Sequence, residues 1–145
     1  MNVNQKGVIG LIEVIRDLTR QGYECFTPIH DYSAVDLIVM DEKFNTFKIQ
    51  VKYRETYRGI IDVPFKTMVN GKSKAIDLTA IDGWAVYCPE VDHVVYVGKH
   101  ELDLTKNGFA FRLTEGKNSV NINKVKRKIY TEFGNVAEWP KAAPC

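Results

Sequence analysis

The stretch AVDLIVMDEKFNTFKIQVKY, residues 34–53, constrains the fold more than any other part of the chain. It reads as two apolar strands joined by a polar turn. Strand side chains alternate between faces, so Leu37 and Val39, with Ile49, Val51 and Tyr53, form one face that belongs in a core. Asp36, Ile38 and Met40 share the other face of the first strand, and Lys48, Gln50 and Lys52 share one face of the second. Any register that pairs even positions with even positions brings Asp36 beside Gln50 or Lys52. A carboxylate, an amide carbonyl and an ammonium then converge on one patch.

That set has a chemical logic. Magnesium takes oxygen ligands and keeps several waters, so one carboxylate with one or two carbonyls is a sufficient protein contribution. An ion held there activates water and takes up charge on a phosphate oxygen, and a neighbouring lysine orients or deprotonates that water or neutralises the phosphate. Glu13 is the candidate second acid, because it lies one position past Ile12 on an amphipathic segment where an inward acid is otherwise costly. The bland reading of the same residues is an edge ion pair between Asp36 and Lys52 with Gln50 as a solvated neighbour. The hairpin alone leaves both open.

Along the chain, residues 3–21 read as a helix with Val8, Leu11, Ile12, Ile15 and Leu18 as its apolar face, ended by Gly22. YECFTPI, VDLIVM and FKIQVKYRE read as strands, and GIIDVPF as a short one that Pro64 ends or demotes to an edge. MVNGKSKAI reads as an exposed basic loop in which Gly71 supplies a turn, and DLTAID as a short helix or turn. WAVYC and HVVYVG are strands around a PEVD turn, and FAFRL is a late strand. Val125, Ile129 and Phe133 are spaced for a helix, and EWPKAAPC reads as irregular. Trp84, Tyr87 and Val95 belong in the core, with Trp139 at a core edge or an interface. The pattern gives one domain over 1–145, with a core of about 3–115 and a basic segment and tail from 116. Its fold class is α+β, or a three-layer α/β/α-like arrangement around one mixed sheet flanked by helices.

The net charge of +2 does not by itself announce a nucleic-acid binder, but its distribution is uneven. Between Lys48 and Lys74 stand seven basic residues (Lys48, Lys52, Arg54, Arg58, Lys66, Lys72, Lys74) against two acids, Glu55 and Asp62, and KVKRK at 124–128 holds no acid. Two basic clusters flanking a candidate metal patch favour a polyanionic partner over two merely solvated faces. Cys25, Cys88 and Cys145 are widely separated, which disfavours a disulfide framework or structural zinc and suits a reducing cytoplasm. His30, His93 and His100 fit no ligand pair. The first residues, MNVNQKGVIG, show no signal-peptide pattern, and no apolar run is long enough to span a bilayer.

These residues resemble the PD-(D/E)XK nuclease superfamily, in which an acid opens one strand, acid–any–lysine follows on the next, and a glutamate on the preceding helix often completes the site. Here the matching positions are Asp36, Gln50-Val51-Lys52 and Glu13. The stretches KGVIGLIEVIRDLTRQGYECFTPI, VDLIV, FKIQVKYRE and IDGWAVYCPEVDHVVYVG resemble the branch of small cyanobacterial and phage-type enzymes that includes intron-encoded homing endonucleases. Two positions depart from the motif: Val35 stands for its proline, and Gln50 for its usual acid, a change the homing branch is similar in making.

The resemblance implies a restriction-endonuclease-like fold and magnesium-dependent hydrolysis of DNA, with manganese able to substitute. It implies Asp36 as principal metal ligand, with the side-chain carbonyl of Gln50 and the main-chain carbonyl of Val51 beside it. Lys52 would position or activate water, and Glu13 would serve a second ion or its water shell. Arg54, Arg58, Lys66, Lys72 and Lys74 are the expected DNA contacts. Because one site nicks one strand, cutting a duplex implies a homodimer or homotetramer. A Holliday junction resolvase and a catalytically silent DNA-binding protein remain the alternatives.

Overall fold

The computed structural model describes residues 1–30, 34–113 and 136–141. The first element is helix α1 (Val3–Arg20), opened by a capping box in which Asn2 and Gln5 exchange side-chain and backbone hydrogen bonds. Gly22, at φ 93°, turns the chain out of the helix in the conformation glycine adopts without strain. Five strands then build the main sheet: β1 (Glu24–Phe26), β2 (Leu37–Met40), β3 (Thr46–Tyr53), β7 (Gly83–Cys88) and β8 (His93–Gly98). They lie in the order β1-β2-β3-β7-β8. Neighbours are antiparallel except β3 and β7, which run parallel.

A parallel pair needs a crossover. Here it is made of strands: β4 (Ile60–Pro64), then the hairpin β5 (Lys66–Val69) and β6 (Lys72–Ala75), then a 3₁₀ turn at Leu78–Ala80. β4 pairs with β9 (Gly108–Arg112) as a separate two-stranded sheet, and Pro64, opposite Gly108, closes it. The segment expected to be a basic loop is therefore the β5–β6 ribbon, a two-stranded sheet of its own. Asn70 and Gly71 form its tip, both at positive φ (51° and 77°), as the tightest hairpin turn requires. Lysines at alternate positions hid β6, which is exposed along its whole length and supplies no apolar period.

α1 covers one face of the sheet, where Val14 and Leu18 pack with Leu37, Val39, Phe47, Ile49, Ala85 and Tyr96. The buried line of α1 is Gly10, Val14 and Leu18; of the face read from the sequence Leu18 is buried and Leu11 and Ile15 pack partly buried against the core, but Val8 and Ile12 are 57% and 56% exposed. Gly10 accounts for the rotation. An added Cβ there would lie 3.2 Å from Tyr53 Cβ, so its bare backbone lets the helix seat directly on β3. The opposite face of the sheet packs Trp84, Val86, Val95 and Val97 against Ile61, Val63, Phe65, Phe109 and Phe111. Trp84, Tyr87, Val95 and Trp139 are all buried, as the sequence suggested. Among the described residues no helix is long and apolar enough to cross a membrane. The KVKRK segment and the helix expected around Val125, Ile129 and Phe133 lie outside the described residues.

Trp139 lies over β7 and β8 where both strands carry glycine: a side chain at Gly83 would run into its ring and into the Val97 carbonyl, and one at Gly98 would run into the His100 ring and press on Trp139. Gly83→Ala is therefore an overpacking change. It should lower the unfolding free energy by about 1–3 kcal/mol, measured by denaturant titration. An unchanged midpoint would show that Trp139 is not held there.

Candidate active site

The register of β2 on β3 pairs Leu37 with Ile49, Ile38 with Lys48, Val39 with Phe47 and Met40 with Thr46. Even positions face even positions. One step beyond the end of β2, the Asp36 N–H still donates to the Ile49 carbonyl at 2.9 Å. There the ladder changes character, because the Val51 N–H donates to the Asp36 side chain, Oδ2, at 2.8 Å. The carboxylate thus takes the place of the next residue of β2. In an extended residue the N–H and C=O point to the same edge of the strand. The Val51 carbonyl is therefore directed to the edge where the Asp36 carboxylate sits.

Gln50 lies between Ile49 and Val51, the two β3 residues that Asp36 engages, and turns to the face opposite α1. It is 2% exposed and is the one buried polar or charged residue among those described. Its Oε1 accepts a hydrogen bond from Trp84 Nε1–H at 3.0 Å. Trp84 is its neighbour on β7 in the parallel register. Two residues on, Lys52 lies on the same face, and its Nζ donates to the Lys66 carbonyl at 2.9 Å. Burial holds the Lys52 ammonium below the usual lysine range; Asp36 works against that shift and Arg54 adds to it. Asp36, Gln50, Val51 and Lys52 are therefore gathered at one end of the β2–β3 junction, with the foot of the ribbon over them.

Glu13 is placed differently. It sits on α1 with its carboxylate 3.8 Å from the Arg16 guanidinium. It lines a small polar cavity of about 150 Å³ with Asp17, Arg20, Tyr87, Asp92 and His93. Asp17 and Arg20 are on α1 itself, while Tyr87, Asp92 and His93 belong to β7, β8 and the turn between them, and β3 lies between that side of the sheet and β2. In the cavity the Tyr87 hydroxyl donates to Asp92 at 2.8 Å. That bond first, and burial second, push its pKa up to about 12. The Tyr96 hydroxyl likewise donates to Asp17.

The expected DNA contacts fall on three elements. Arg54 extends β3 and donates its backbone N–H to the Tyr87 carbonyl. Arg58 stands at the tip of a tight turn with Gly59, both at positive φ, with its guanidinium 5.3 Å from the Tyr57 ring centre. On the ribbon, register pairs Thr67 with Lys74 and Val69 with Lys72, so Lys72 and Lys74 share one face. Lys66, opposite Ala75, belongs to the other face. Sequence reasoning missed Trp84 as a member of the site. Its signal was the single step of register that sets it beside Gln50, which a sequence cannot give for a parallel pair joined by a long crossover.

The donor set fits a hard divalent cation: a carboxylate, a main-chain carbonyl and an amide oxygen that keeps one lone pair after Trp84 takes the other. Among the described residues no group of three or more His, Cys, Asp or Glu is placed to hold a metal.

Comparison with known proteins bears on the whole arrangement. No curated protein matches the sequence significantly. Among solved structures, the fold matches that of a bacterial homing endonuclease, I-Ssp6803I, with a TM-score of 0.64 and 14% identity over 86% of each chain. The sequence matches a family described as PD-(D/E)XK endonuclease over residues 1–131. With the acid before β2, the Gln-Val-Lys run on β3 and that match over most of its length, the chain belongs to the PD-(D/E)XK endonuclease family.

Proposed function

We propose that the protein is a magnesium-dependent, site-specific DNA endonuclease of the homing type, working as a symmetric dimer or tetramer. The observation that supports this reading is the hydrogen bond that ties the Asp36 carboxylate to β3 at Val51, between Gln50 and Lys52, with Lys52 bonded to the foot of a two-stranded basic ribbon. The likeness to a bacterial homing endonuclease supports the same reading.

Asp36, Gln50 Oε1 and the Val51 carbonyl would hold the ion, with manganese able to substitute for magnesium. Bound there, the ion would supply Lewis acidity to water and to the phosphate. Asp36 also orients the end of β3 through the Val51 N–H, fixing the carbonyl beside it. The reaction adds water across a phosphodiester: a water oxygen bonds to phosphorus, the P–O3′ bond breaks, and 5′-phosphate and 3′-hydroxyl ends result. Lys52, with its lowered pKa, holds a larger share of free amine at a given pH than an ordinary lysine and so suits accepting the water proton. As an ammonium it neutralises the charge that builds on the phosphate. Glu13, across β3, would act on this centre only through a second ion or its water shell.

The major groove admits a two-stranded ribbon, and the Lys72/Lys74 face with Thr67 would enter it. Arg54, Arg58 and Lys66 would contact the backbone nearer the site.

Asp36→Ala and Lys52→Ala should each lower magnesium-dependent cleavage by at least about a hundredfold while keeping salt-sensitive DNA binding. Chelating the metal should do the same. Full activity of either variant would refute the site. The substrate test is cleavage of a randomised duplex library beside a synthetic four-way junction. Cutting at a recoverable duplex sequence is expected; cutting of the junction alone would make the protein a resolvase, and binding without cutting a silent DNA-binding protein. Lys72→Ala and Lys74→Ala should each weaken binding and reduce the slope of log K against log salt by about 1, read by fluorescence anisotropy.

Lys52 also carries a stability consequence. Its folded pKa is lower than its unfolded one, so between the two values the unfolded chain binds more protons and stability rises with pH. Below the folded value the buried ammonium is a constant cost. Lys52→Met should therefore raise the melting temperature at neutral pH while abolishing cleavage, and the gain should shrink toward the free-lysine pKa. A melting temperature that falls at neutral pH would show that the ammonium stabilises the fold.

A further inference from the structure

The Trp84–Gln50 hydrogen bond has no counterpart in the sequence motif. An indole nitrogen is a donor only, so the end of the Gln50 amide facing it must be the oxygen. An amide has two unlike ends, and in a site meant for a cation only the oxygen end is useful. The indole itself is held on two sides. Phe65 stacks on it with ring centres 5.1 Å apart and planes at 23°, and Phe109 meets it at 5.2 Å and 63°. Trp84 is fully buried, so its N–H points in one direction.

We propose that Trp84 is a positioning residue: its indole N–H locks the amide of Gln50 so that Oε1 keeps one lone pair in a fixed direction for a divalent cation. This rests on the metal-dependent reading above. The lock answers a need that glutamine creates and glutamate would not. A carboxylate carries oxygen at both ends and presents one whichever way it turns. Phe65 extends the arrangement, because the next residue, Lys66, provides the carbonyl that holds Lys52. Gln50 and Lys52 are thus both steadied from the foot of the ribbon, one through an aromatic stack and one through a backbone carbonyl.

The test is a pair of comparisons on the full chain without DNA. Trp84→Phe keeps the ring stack and removes the N–H. Uptake of Mn²⁺, read from the paramagnetic resonance of the free ion, should weaken about fivefold to tenfold in this variant, the worth of one hydrogen bond. Made on top of Gln50→Glu, the same change should weaken uptake less than about twofold relative to Gln50→Glu alone, since no amide is left to orient. In the metal-free wild type, the Trp84 indole N–H resonance should be protected from solvent exchange and should move on Gln50→Leu. Equal weakening in both backgrounds, or an indole that exchanges freely, overturns the lock while leaving the nuclease reading intact. A wild-type chain that takes up no Mn²⁺ overturns the metal-dependent reading, and the lock's role falls with it.

Discussion

The hydrogen bond from the Val51 N–H to the Asp36 carboxylate holds the site together. β2 ends at Leu37, but the β3 edge beyond it still offers a backbone donor that must be satisfied. Asp36 satisfies it with a side chain, at the position where a further β2 residue would have used its carbonyl. This ties Asp36 to the strand on which Gln50 and Lys52 share a face by alternation, and it draws the carboxylate and the Val51 carbonyl to one edge. A slip of one residue would send Gln50 and Lys52 under α1 and bring Ile49 and Val51 to the site.

That face carries a conflict between folding and chemistry. Around Trp84 and Val86 it is a packed apolar layer, and into it the chain sends an amide and an ammonium. Each is given a partner drawn from the crossover between β3 and β7 or from its far end: the Trp84 indole for Gln50 and the Lys66 carbonyl for Lys52. A helix would be the usual crossover for a parallel pair. Strands in its place set a basic ribbon directly beside Lys52. A lone two-stranded ribbon is marginally stable. Its attachment through Phe65 and Lys66 is what ties the ribbon to the site.

The centre of this arrangement was legible in the sequence because it rests on period-two alternation, which survives without knowledge of the partner strand. Asp36, Gln50 and Lys52 could be set on one face from parity alone, and the odd face followed as core. Two features of the fold escaped for separate reasons. β6 is exposed throughout, so Lys72 to Ala75 carried no apolar period. The buried line of α1 turns on Gly10, which adds no hydrophobicity to a pattern built from Val8 and Ile12. Glu13, read as the candidate second acid, pairs with Arg16 and faces a polar cavity toward β7 and β8. Trp84 was legible as core but not as a donor, since its neighbour depends on how a crossover of some thirty residues, from Tyr53 to Gly83, brings β7 back beside β3.

The most direct test is a crystal structure of the protein soaked with manganese, with the ion located by its anomalous scattering. The account predicts a peak at coordination distance from the Asp36 carboxylate and the Val51 carbonyl, on the Gln50 side of β3. A peak confined to the Glu13–Asp92 cavity, with none beside Asp36, would contradict it.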